Sequence, residues 1–150
     1  MKYTNENGRS MVEMLGVLAI VGVLSIGGIA GYTRAMRNWR ANEIIDAANK
    51  VVVLAETEDD GKADYTDVGT IANVAGGALD TIEAERSGST GTVTITLASA
   101  TDAMKELGKT IREKVGDTAS PRVLSGYTVV IYCGANASCE PPQTPPAGGS

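Results

Sequence analysis

Glu13 stands immediately before a charge-free apolar run, Met14 to Thr33, and two thiols, Cys133 and Cys139, sit near the end of the chain with five residues between them. These are the residues whose type and spacing offer chemistry. A carboxylate at the edge of an apolar span has two uses: it snorkels into lipid headgroups, or it neutralises an amine that would otherwise enter lipid uncompensated. Two thiols at short spacing form a disulfide, hold a metal or stay free, according to the compartment and the other ligands at hand. Most alternatives fall away on composition. The chain has no His, so imidazole metal sites and Ser-His or Cys-His nucleophiles are ruled out. No carboxylate pair or Ser-Lys spacing stands out, so no enzymatic activity, cofactor or metal is expected. The net charge of −5, without a basic patch interleaved with aromatics, argues against direct nucleic-acid binding.

The elements that position these residues follow from the hydrophobic pattern. At about 1.5 Å rise per residue, the charge-free run matches a hydrocarbon core of about 30 Å. It passes without Pro or Gly into "YTRAMRNWRANEIIDAANKVVVLAETE", where Tyr32, Ala35, Met36, Trp39, Ile44, Ala47, Ala48, Val51 and Leu54 or Ala55 recur at helical steps. One helix over 9–56 is predicted, transmembrane in its first half and amphipathic in its second. The acidic "ETEDDGKADYTD" reads as a solvated connection, because the oxygen-ligand spacing of an EF-hand is missing. Ile71, Val74, Ala75, Ala78, Leu79 and Ile82 suggest a short helix weakened by Gly76 and Gly77, and "RSGSTG" a turn. "TVTITLA" alternates as a strand, with Val93, Ile95 and Leu97 on one face. Thr101 is placed to cap a helix whose Met104, Leu107, Ile111 and Val115 form a buried edge up to Gly116. Val123 and Leu124 suggest a short strand, and Tyr127 to Cys133 a firm one. The head over 57–139 is therefore α+β, and "EPPQTPPAGGS", residues 140–150, reads as a disordered tail. Behind a membrane span the thiols face an oxidising compartment, which favours a Cys133–Cys139 disulfide.

Ahead of the apolar run stands "MKYTNENG", a polar leader ending in Gly8, with Glu13 five residues further on. The stretch "GRSMVEMLGVLAIVGVLSIGGIAGY" resembles the class III signal of type IV prepilins: a glycine, a cut, glutamate as the fifth mature residue, then the apolar helix. The resemblance covers about the first thirty residues. It implies a type IV pilin-like fold, in which a long N-terminal helix packs on a small antiparallel-sheet head. It also implies a leader over 1–8, cleavage between Gly8 and Arg9 by a prepilin peptidase, and methylation of the new amine. A subunit of this kind is held in the bacterial inner membrane and polymerised by an inner-membrane assembly platform, with identical or related subunits, into an extracellular pilus filament that serves adhesion or a related surface function. Glu13 of an incoming subunit would neutralise the amine of Arg9 on a subunit already in place. The chain departs from the family pattern at Arg9, where Phe, Met or Leu is usual, and at Ala30, where many members have proline.

Two other readings stay open at this point. A type II secretion pseudopilin has a similar N-terminus but usually carries acidic calcium ligands in a C-terminal loop, whereas only Glu140 is acidic after Asp117. A secreted or anchored soluble domain would use conventional signal cleavage after Ala30. Arg34, Arg37 and Arg40 past the end of the span run against the positive-inside pattern for an exported head.

Overall fold

The computed structural model of the chain describes residues 6–117, 120, 121, 124, 126–134 and 139. The chain divides into two compact units, Met1–Met36 and Arg37–Ser150.

The first unit is helical, formed by the N-terminal part of α1, which runs Glu6–Thr57. Every described side chain from Ser10 to Ala35 is exposed. Two hydroxyls in this stretch are satisfied by their own helix: Ser25 Oγ donates to the Val21 carbonyl at 2.7 Å and Thr33 Oγ1 to that of Ala30 at 3.0 Å. Such back-bonding gives both hydroxyls a partner in an apolar surrounding.

The second unit is α+β, as expected. From Arg37 onward α1 buries Ala41, Ile44, Ala48, Val51 and Ala55, at steps of three and four residues, in a common core with the sheet. The strands are β1 (Lys62–Asp64), β2 (Leu79–Ser87), β3 (Thr90–Leu97), β4 (Gly116–Asp117), β5 (Ser120–Pro121) and β6 (Tyr127–Cys133), and α2 (Asp102–Val115) lies between β3 and β4. The main sheet has the order β1-β2-β3-β6. Val93, Ile95 and Leu97 of β3 face the core together with Val129, Ile131 and Cys133 of β6, and α2 adds Leu107, Ile111 and Val115.

Five expectations need correction. The sheet is mixed rather than antiparallel: β1, β2 and β3 are antiparallel, but β6 runs parallel to β3, from Gly91↔Tyr127 to Leu97↔Cys133. α2 is the reason, since a crossover helix returns the chain to the start of β3. The predicted helix over 71–82 is a short 3-10 stretch, Ile71–Gly76, followed by β2; helical geometry already breaks at Val74 and at left-handed Ala75, Gly76 and Gly77 follow in the same left-handed region, and Ile82 and Ala84 then face the core as alternate strand residues. The acidic connection contains β1 and a 3-10 turn, Tyr65–Asp67. Leu124 is buried but lies in no strand, the short pair being β4 and β5; Val123 lies outside the described residues. Trp39, placed on the packed stripe by periodicity, is 51% exposed, as Ala41 and Ile44 hold the inward face. Residues 140–150 lie outside the described residues.

Candidate functional site

Gly8 and Arg9 lie in the first turns of α1, where only the backbone is described, and Glu13 follows one turn on with its side chain exposed. From Met11 to Ile29, twelve large apolar side chains (Met11, Val12, Met14, Leu15, Val17, Leu18, Ile20, Val21, Val23, Leu24, Ile26 and Ile29) are each more than half exposed. α1 is long and apolar enough to cross a membrane, and none of its most apolar window is covered by the chain itself. At about 1.5–3 kcal/mol for removing each such side chain from water, the uncovered segment carries on the order of 20 kcal/mol of unrealised burial. Glu13 is the only charged residue from Ser10 to Thr33.

The sulfurs of Cys133 and Cys139 are bonded, with the two Cα atoms 4.9 Å apart. β6 positions Cys133, which is 1% exposed at the end of the parallel pairing with β3. Cys139 is placed by its backbone, whose N–H donates to the Ile131 carbonyl at 3.4 Å, and by contact with α2. A Cβ built on Gly108 would lie 2.9 Å from both Cβ and Sγ of Cys139, so the glycine makes room for the disulfide against the helix. Sequence spacing pointed to the bond, but Gly108 carries no one-dimensional signal.

Other polar groups serve the fold. Arg37 Nη1 and Glu106 Oε2, 69 residues apart in sequence, pair at 3.2 Å and tie α1 to α2. Asp64 caps the 3-10 turn after β1: its carboxylate accepts from the Thr66 hydroxyl and from the Thr66 N–H at 2.7 Å, while Asp67 accepts from the Asp64 N–H at 3.1 Å. The Thr66 hydroxyl, above all, holds the Asp64 carboxyl below its ordinary value. Thr101 occupies the N-cap of α2, but its hydroxyl meets Ser99 Oγ at 3.3 Å instead of closing the cap. Among the described residues no group of three or more His, Cys, Asp or Glu could hold a metal ion. An open apolar groove of about 430 Å³ beside α1 is lined by Asn49, Lys50, Val53, Leu54, Thr57 and Val68. Lys50 is its only charged residue, so the groove brings together no acid–base or nucleophilic set.

The architecture is a long apolar N-terminal helix with a small sheet packed on its second half and a disulfide late in the chain, which is compatible with a pilin-like arrangement. Compared with protein-family models, curated proteins and solved structures, the chain finds no match among any of the three.

Proposed function

We propose that this chain is a type IV pilin-like subunit: a prepilin peptidase cuts it between Gly8 and Arg9, α1 holds it in the bacterial inner membrane, and it polymerises through that helix into a filament. The observation that carries the reading is the uncovered apolar stretch of α1, with Glu13 near its start. An apolar helix held only by lipid would be best served by no charge at all, and a carboxylate beside it costs up to about 2.5–3.5 kcal/mol at the bilayer centre. Pairing with the amine of another subunit gives that charge a use. Cleavage after Gly8 would create the amine one helical turn from Glu13. One contact of this kind, repeated without closure, builds a helical filament.

Two features of the head support export. The Cys133–Cys139 bond suits an oxidising compartment. Of the three arginines that run against the positive-inside pattern, Arg37 is taken up by Glu106, and Glu43 and Asp46 follow closely on the same helix. Identical or related subunits, the peptidase, an assembly platform and the membrane are the partners of this reading, and the filament outside the cell its destination.

The test compares wild type with Glu13→Val for membrane-fraction level, intact mass and sheared surface filaments. The expected result is a mature mass beginning at Arg9 for both proteins, equal membrane levels, and filaments from the wild type only. Wild-type amounts of filament from a processed Val variant would refute the pairing role. A mass beginning at Gly31 would replace the whole reading with conventional signal cleavage.

A further inference from the structure

Trp39 is the only tryptophan in the chain, and the fold makes little use of it: it is 51% exposed on a helix whose neighbouring Ala41 and Ile44 are fully sealed. We propose that Trp39 is an interfacial anchor, its indole lying in the phospholipid headgroup layer on the head side of the bilayer while Arg34 meets lipid phosphate. The proposal rests on the membrane-spanning reading above and names the lipid contact that fixes how deeply the subunit sits before assembly.

Position is the first argument. Trp39 lies six residues past Thr33, the end of the charge-free run, or about 9 Å of helix. The headgroup layer extends about 5–7 Å beyond the hydrocarbon core. Helical side chains lean towards the N-terminus, so the ring covers the turn before its own Cα and falls back into that layer. Chemistry is the second. An indole has an apolar body and one N–H donor, and prefers the boundary where one end is dry and the other wet. Charge is the third. Arg34 is exposed and forms no ion pair among the described residues, whereas Arg37 is engaged by Glu106. A guanidinium just past the end of the apolar run matches the anionic phosphate of a lipid and gives the outward arginine a partner. Lipid is favoured over a second subunit as the occupant because Trp39 follows within six residues of the end of a run long and apolar enough to cross a bilayer.

A single tryptophan allows a test without labels. The full-length chain is reconstituted at low density into phosphatidylcholine–phosphatidylglycerol vesicles, insertion is checked by flotation, and Trp39 emission is recorded with lipids brominated near the headgroup or deep in the acyl chain. The expected result is emission blue-shifted from that of water-exposed indole, with quenching at least about twofold stronger from the shallow bromines than from the deep ones. Arg34→Gln should weaken the shallow quenching while leaving flotation intact. A floating protein whose tryptophan emits as in water, or is insensitive to bromine at both depths, overturns the anchor and leaves the membrane reading standing. A blue shift that grows with protein density without bromine quenching assigns Trp39 to a contact between subunits and also overturns it. Failure to float removes both.

Discussion

Gly91 lies beneath the ring of Tyr127, its register partner on β6, and the close approach gives a sharp test of the parallel pairing. A Cβ built on Gly91 would lie 2.2, 2.4 and 2.8 Å from Cε1, Cδ1 and Cζ of that ring, against about 3.5–4.0 Å for carbons in contact. The ring would have to move by more than an ångström. It has little freedom to do so, because Tyr127 is 4% exposed and its hydroxyl is already enclosed without a described partner. Forced overpacking of this kind costs about 1–3 kcal/mol. Replacing glycine by alanine also restricts the unfolded chain, which returns about 0.4–1 kcal/mol. Gly91→Ala should therefore destabilise the head by about 1–2 kcal/mol net, or roughly 4–16 °C in Tm for a unit of this size. The assay is guanidinium unfolding of the full chain in detergent, followed by the near-ultraviolet signal of the tyrosines, for a double-mutant cycle with Tyr127→Ala. Without the ring, the same Gly91→Ala change should turn neutral or mildly stabilising. Equal costs in both backgrounds would show that the ring is not the obstacle and that β6 does not lie beside β3 as described.

Two further outcomes follow from packing in the head. Gly108→Ala should gain up to about 1 kcal/mol of helix propensity yet lose about 1–3 kcal/mol to the clash with Cys139. The variant should melt below wild type when oxidised and at or above it when reduced, and an unchanged ranking on reduction would refute the contact. Burial raises the Tyr127 phenol above its ordinary value of 10.0, helped by Glu56 and opposed by Arg86. The folded state therefore holds this proton more tightly than the unfolded chain does, so the contribution of this group to stability is level below pH 10 and falls as pH rises past it. Phenolate absorbance should show one late tyrosine whose titration coincides with loss of structure, and Tyr127→Phe should lessen the alkaline loss.

How much of this was legible in the sequence depended on whether the signal was local. α1, α2, β3 and β6 carry their own periodicity, and the Cys133–Cys139 spacing pointed to a bond that the structure contains. β2 was hidden because "LDTIEAERS" is built from good helix formers, and its period-two burial of Ile82 and Ala84 emerges only once β3 pairs with it. The parallel β3–β6 pairing joins segments separated by all of α2, so no short window contained it. Gly91 fell in the stretch "RSGSTG" that reads as a turn and Gly108 carries no signal of its own, and each is explained by a side chain far away in sequence. Trp39 failed in a different way: helical periodicity assigns a face, but not what covers it. Of the candidate assembly residues, Glu13 was legible because one charge beside a long apolar run is visible without any fold.

That visibility bears on what Glu13 contributes. Bringing a carboxylate and an amine together inside an apolar bundle removes both from water, a penalty of several kcal/mol per ion that the attraction between them roughly offsets. The pair is therefore a poor source of net stability. The twelve large apolar side chains on α1 are the stronger source, with on the order of 20 kcal/mol available from their burial. Apolar packing alone, however, tolerates sliding, because neighbouring positions on such a helix are chemically alike. A single charge distinguishes them: any register that leaves it unpaired in low dielectric loses the attraction and keeps the penalty, a difference of about 3–5 kcal/mol in favour of the paired arrangement. In the proposed filament the apolar surface of α1 supplies cohesion and Glu13 selects the register, a division that explains a lone carboxylate at the edge of a segment otherwise free of charge.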